Sequence, residues 1–187
     1  MTTPHERRPT PSDAELMLAT AAGNMGAFEQ LVFRYQAAAW NAAYRFLGDA
    51  AEAEDIAQQA FLNILQAAER YEPSASFRTY LYRVVTRLCI DRSRKKQPVY
   101  TDDLSARATP GSSPADAAER GERDDAVRAA LARLPDRQRM AVVLRYYEGL
   151  SGPEIAAAMG ASVKAIERLL ARARSGLEQD LADFLGK

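Results

Sequence analysis

Histidine and cysteine are nearly absent from this 187-residue chain, which has one of each. A lone Cys89 excludes an intrachain disulfide, and its helical surroundings predict a buried thiol. With His5 as the only imidazole, a His-based catalytic triad or a Cys/His zinc site has almost nothing to be built from. No carboxylate spacing argues for a metal, so no catalytic group, metal or cofactor is expected. Long apolar runs are missing as well. Nothing approaches a membrane span, and the N-terminus has no apolar stretch of the kind that opens a secretion signal. These absences predict a cytoplasmic protein that is not an enzyme, takes no small-molecule substrate and does not insert into a membrane. Glycines are few beside many alanines, and long helical periods dominate, so the fold class is all-α. The length allows one domain or two small ones.

Net charge is also missing: Lys plus Arg and Asp plus Glu both total 25. The balance hides segregation. Arg83, Arg87, Arg92, Arg94, Lys95 and Lys96 face the single acid Asp91 within residues 83–96, while acids outnumber bases over residues 98–125. A chain divided in this way meets more than one kind of partner.

What is present is a series of capped helices. Residues 1–11 are polar and proline-punctuated and read as a disordered tail. Ser12 can cap a short helix that stops at Gly23, and Asn24 a longer one whose Phe28, Leu31, Val32, Tyr35, Ala39 and Trp40 read as core. A third helix follows the Gly48-Asp49 turn, with Ile56, Ala60, Leu62 or Asn63, and Ala67 on one face. Its polar residues Glu54, Asp55, Gln58, Gln59 and Asn63 are acids and amides, which serve either the helix dipole and solvent or an interface to a basic protein partner. Around the loop at Pro73, Tyr71, Phe77, Tyr80 and Tyr82 interleave with Arg78, Arg83 and Arg87, and Arg92 follows. Aromatics among arginines suit single-stranded DNA, because bases stack on rings while cations follow phosphates; the alternative is a half-buried helix whose rings serve the core.

Residues 98–123 lose periodicity and read as a flexible acidic linker, and about 25 extended residues span roughly 80 Å. Helical order returns from Asp124, breaks at Pro135, and resumes with Asp136 as the expected cap. Then comes the stretch L-S-G-P-E-I-A-A-A-M-G-A-S-V-K-A-I-E-R-L-L-A-R-A-R-S-G-L. Ser151 and Glu154 have capping-box spacing, Gly160 can supply a left-handed stop, and Ser162 can cap a second helix. Two short-linked helices of this kind form a helix-turn-helix, whose second helix can lie in a DNA major groove. Ser162, Lys164, Glu167, Arg168 and Arg172 are its candidate DNA contacts, while Ile166, Leu170, Ala173 and Leu177 should pack against Ile155 and Leu144. A plain helical hairpin with a solvated basic face is the alternative.

Four strings in this order resemble the bacterial sigma factors of the extracytoplasmic-function (ECF) group of the sigma-70 family, across roughly residues 12–97 and 124–180. E-A-E-D-I-A-Q-Q-A-F-L resembles the family helix that binds the polymerase β′ clamp. F-R-T-Y-L-Y-R-V and I-D-R-S-R-K-K resemble its minus-ten segment and basic end, and L-P-D-R-Q-R-M-A-V-V-L-R-Y-Y-E-G-L-S-G-P-E-I-A resembles the approach to its minus-thirty-five reading helix. The resemblance implies a sigma-two-like bundle at 12–97 and a sigma-four-like helix-turn-helix domain at 124–187. It assigns Glu54, Asp55, Gln58, Gln59 and Asn63 to polymerase binding. Tyr71, Phe77, Arg78, Tyr80, Arg83, Arg87 and Arg92 fall to the minus-ten element and its melting, and the helix-turn-helix set to the minus-thirty-five element. The implied partners are core RNA polymerase (β′ clamp and β flap) and promoter DNA, duplex and melted, with an anti-sigma factor as a further candidate. Gln59 stands where the family usually has Glu, Tyr80 where it has Trp, and Arg87 where it often has Asn. Glu167 replaces a cation and Leu169 an arginine, so the usual minus-thirty-five contacts are not carried over at those two positions. Rival readings are a stand-alone helix-turn-helix regulator, which leaves the acid-amide helix unexplained, and a sigma mimic that titrates an anti-sigma factor.

Overall fold

A computed structural model describes residues 10–72, 75–96 and 116–182. Most of the expected tail, Pro73, the expected linker up to residue 115, and residues 183–187 lie outside the described residues. Among those described there is no strand, and the fold is all-α.

The caps fall where local chemistry puts them. Ser12 and Glu15 form a reciprocal capping box at the start of α1 (Asp13–Ala21). The Asn24 side chain accepts from the Ala27 amide to open α2 (Met25–Leu47), which ends at Gly48 with φ +73°. Asp49 caps α3 (Ala50–Gln66) by accepting from the Glu52 amide at 3.0 Å. Ser76 Oγ accepts from the Thr79 amide at the head of α4 (Phe77–Lys96). These four helices share a core built around Met17, Leu31, Phe46, Ile64, Leu81 and Val85. Small residues let α2 and α3 approach closely: Ala39, Ala42, Ala43, Ala53 and Ala60 are fully buried.

Two expectations about this half change. Leu62 is 51 % exposed, because the buried face of α3 runs through Ala53, Ile56, Ala57, Ala60, Phe61 and Ile64. Trp40 is half-buried and stacks on Tyr44 at 4.9 Å, so it edges the core without filling it.

The second half begins earlier than expected. α5 (Asp116–Arg133) takes in the end of the stretch read as linker, since D-A-A-E-R is rich in helix formers and its acids suit an N-terminus. α6 (Asp136–Val142) has Pro135 at the cap position and Asp136 as its first residue. Asp136 therefore does not cap. It sits 3.7 Å from Arg139 and accepts from Ser93 at 3.0 Å instead. The chain then widens into a π-turn (Val143–Tyr147) that ends before Gly149, whose φ is +68°. α7 (Gly152–Met159) starts with Glu154 reaching back to the Ser151 amide at 2.8 Å, and stops at Gly160 with φ +58°. α8 (Val163–Asp180) is capped by Ser162, which accepts from the Ala165 amide.

The apolar stripe of α8 divides between two cores. Ile166 joins Leu144 and Ile155, as its spacing suggests, but Ala173 and Leu177 join Leu131, Leu134 and Val142, with Val127 at the edge. Leu170 touches both. The larger core runs on without a break from α1–α4 into α6, α7 and α8, with α7 lying against α4. Arg139 stitches the halves: it donates to the Phe46 carbonyl at 2.9 Å, near the end of α2, and to Ala132 and Leu134 at the end of α5. A cation on helix C-terminal carbonyls is favourable, which offsets the burial of its guanidinium.

Candidate polymerase and nucleic-acid interfaces

The acids and amides of α3 do not share one surface. Glu54 and Gln58 are joined at 3.0 Å and rim an open groove of about 700 Å³ between α2 and α3. Phe28, Val32, Trp40, Phe61 and Leu62 give that groove an apolar floor. On the opposite flank Asn63, joined to Gln59 at 2.9 Å, faces α4. Asp55 lies 3.9 Å from Arg92, which also approaches Glu52 at 3.7 Å. Arg92 thus bridges α3 and α4 in this arrangement. Sequence reasoning did not single out the groove, because its floor comes from two helices whose apolar residues both read as core. The signal was there only as an unusual width of the apolar band on α2.

The face of α4 toward α3 forms a second concavity of about 850 Å³. Tyr71 and Tyr80 sit in its wall with ring centres 5.5 Å apart, and burial pushes the Tyr71 phenol above its ordinary value. Arg70, Arg83 and Arg87 stand at the same opening, and Asn63 and Gln66 supply amides. Arg83 and Arg87 are exposed. Such a pocket offers stacking surfaces, hydrogen-bonding amides and cations together, which is what an unpaired base with its phosphate requires.

Two of the interleaved aromatics are elsewhere. Phe77 is 2 % exposed and packs on Tyr35 at 5.1 Å, so it anchors α4 in the core. Tyr82 is 1 % exposed and donates to a Glu148 carboxylate oxygen at 2.5 Å. Arg78 is half-buried, donating to the Glu148 carbonyl while its guanidinium lies over the Tyr82 ring.

On α8, Ser162, Lys164, Glu167, Arg168 and Arg172 are all exposed. Lys164, Glu167, Arg168 and Arg172 have no ion-pair or side-chain hydrogen-bond partner among the described residues, whereas Arg174 is bound to Glu178 at 2.8 Å. A capped helix start with unpaired cations can take phosphate and base edges. Among the described residues no cluster of His, Cys, Asp and Glu could hold a metal, and no helix is long and apolar enough to cross a membrane.

The family model for Sigma-70 region 2 matches residues 31–99, and that for Sigma-70 region 4 matches residues 124–177. The ECF RNA polymerase sigma factor SigW of Bacillus subtilis is 33 % identical over 87 % of this chain and 92 % of its own length. This chain belongs to the ECF sigma factors. The RNA polymerase sigma-H factor of Pseudomonas aeruginosa is 30 % identical, covering 92 % of the chain and 95 % of itself. A solved structure of CnrH in complex with the cytosolic domain of CnrY superposes with a TM-score of 0.72 at 30 % identity, over 92 % of this chain and 99 % of that one. As an RNA polymerase sigma factor, the protein acts in promoter-specific initiation of transcription, through binding of core polymerase and promoter DNA. The pocket of α4 falls in the matched region 2, and α8 in the matched region 4.

Proposed function

We propose that this sigma factor divides its work among three surfaces. The α2–α3 groove with Glu54 and Gln58 on its rim, together with Asp55 and Gln59 elsewhere on the exposed side of α3, takes the core polymerase at its β′ clamp. The α3–α4 pocket, with Asn63 on its rim, captures a base of the melted minus-ten strand. Tyr71 and Tyr80 supply the stacking surface there, and Arg83 and Arg87 follow the backbone. Lys164, Glu167, Arg168 and Arg172 read the minus-thirty-five duplex, with Ser162 and the first amides of α8 free to meet a phosphate. Glu167 can accept from a cytosine N4, the base-edge contact left when a cation is replaced by an acid.

The observation that carries this reading is the joining of two rings, arginines and amides in one open pocket of about 850 Å³. On this reading residues 12–97 and 124–187 are the two working domains, the chain acts in the cytoplasm, and it makes or breaks no bond itself. A run-off transcription assay with purified core polymerase tests it: specific transcripts from a selected promoter are expected, and none with core alone. The apolar α2–α3 groove also suits an anti-sigma factor, a reading favoured by the likeness to CnrH captured with the cytosolic domain of CnrY.

A further inference from the structure

α1 lies ahead of the segment matched to Sigma-70 region 2, which begins at residue 31, and none of the three surfaces above uses it. Asp13 opens this helix, where a carboxylate suits the helix dipole. The dipole accounts for an acid in the first turn but not for where its side chain goes. One Asp13 oxygen accepts from the Tyr35 hydroxyl at 2.5 Å and the other from Arg34 at 2.8 Å, both on α2. All three side chains are partly buried, and bonds to a carboxylate are directional, so they fix the Tyr35 ring in a way apolar contact alone does not. That ring reaches further. It packs on Phe77, the first residue of α4, with centres 5.1 Å apart, and Tyr80 stands one turn along the same helix. α1 also packs against the short 3-10 turn (Ala68–Arg70) that delivers Tyr71. The two rings of the α4 pocket thus come from separate elements, and the Asp13–Tyr35 pair touches the supports of both. Burial first, and the Asp13 charge second, raise the Tyr71 phenol, so the carboxylate is within electrostatic reach of the pocket wall. Among the described residues no hydrogen bond joins Tyr71 to Tyr80, so their 5.5 Å spacing depends on what lies behind them.

We propose that Asp13, acting through Tyr35, is a positioning residue of promoter melting, which holds Tyr71 and Tyr80 at the spacing that takes an unstacked base. The role rests on the reading that this pocket takes a melted base. Holoenzyme reconstituted with the full chain tests it on a promoter selected for transcription, with three measurements: affinity for core polymerase, affinity of the closed complex, and the rate of melting followed by permanganate. Asp13→Ala should slow melting about tenfold, the worth of a hydrogen bond to a charged group, and leave both affinities unchanged. Tyr35→Phe keeps the ring on Phe77 but loses the bond, and should also slow melting. The double variant should be no slower than Asp13→Ala alone, because one interaction is removed only once. Asp13→Asn, which keeps an acceptor toward Tyr35, should recover most of the rate. In a Tyr80→Ala background, adding Asp13→Ala should cost nothing further, since the pocket it serves is already lost. Far-UV circular dichroism identifies the folded variants, and Tyr35→Phe carries the test if Asp13→Ala is not among them. Wild-type melting by the folded variants overturns the proposal. So does a parallel loss of core or closed-complex affinity, or a loss that adds in full to that of Tyr80→Ala, because either marks a general loosening of the fold. If Tyr71→Ala and Tyr80→Ala slow melting and the Asp13 and Tyr35 variants do not, only the positioning role falls. If neither ring variant slows melting, the pocket reading falls and takes the role with it.

Discussion

Replacing Tyr80 by alanine tests the α4 pocket most directly. Its ring is half-buried, lies 5.5 Å from that of Tyr71, and borders the concavity shared with Arg83 and Arg87. Stacking of one base on an aromatic ring is worth about 1–3 kcal/mol, and about 1.4 kcal/mol is a tenfold change. Tyr80→Ala should therefore slow open-complex formation by about 5- to 150-fold, and Tyr71→Ala by a similar factor. The ring pair itself is worth about 0.5–1.5 kcal/mol, so Tyr80→Ala also loosens the fold, and rates belong well below its unfolding transition. Tyr80→Phe keeps both the stacking surface and the ring pair, and should melt promoters at nearly the wild-type rate. Permanganate footprinting of reconstituted holoenzyme follows the unpaired thymines in time. Wild-type melting by both alanine variants would refute the assignment of this pocket to a flipped or unstacked base. Loss of melting by Tyr80→Phe would show that the hydroxyl, not the ring, is what matters.

On α8, Arg168→Ala should relax preference at one minus-thirty-five position and cost about 1–3 kcal/mol, while Glu167→Lys should change the preferred base. A promoter-library selection reads both, and identical preferences for wild type and variants would show that α8 is not the reader. Arg172→Ala should weaken all sequences alike and lower the salt slope by about one phosphate contact, seen by titrating duplex at several salt concentrations. On α3, Leu62→Glu in the groove, or Asp55→Lys with Gln58→Ala, should weaken binding to core polymerase while leaving helicity intact; all three residues are exposed, so unchanged affinity in a fluorescence titration removes the claim. Alkaline pH should destabilise the fold. Burial raises the Cys89 thiol from 9.0 to about 12, and burial with the bond to Asp13 raises Tyr35 from 10.0 to about 12. The folded state keeps protons that the unfolded chain releases, so the stabilisation is complete below pH 9 and is lost as pH rises toward 12. Denaturant midpoints measured from pH 8 to 11 should fall, and less steeply in Cys89→Ala.

The sequence by itself determined the local structure, because caps and stops are chemistry of a few adjacent residues. Asn24, Asp49, Ser162 and the left-handed Gly48 and Gly160 each act within one turn of their own helix. It also determined the order of motifs, and with them the helix-turn-helix and the cations facing outward from α8. It did not say which neighbour covers each partly apolar face, since helical spacing names a side but not what packs there. Phe77 and Tyr80, three positions apart on α4, went to the core and to the pocket because Tyr35 lies over one and only Tyr71 beside the other. The acids and amides of α3 parted onto two surfaces because α2 and α4 flank that helix on different sides. The pairing of Tyr82 with Glu148, 66 positions apart, was decided by tertiary structure alone. Nothing local distinguishes a tyrosine that will meet a distant carboxylate from one that will meet a base.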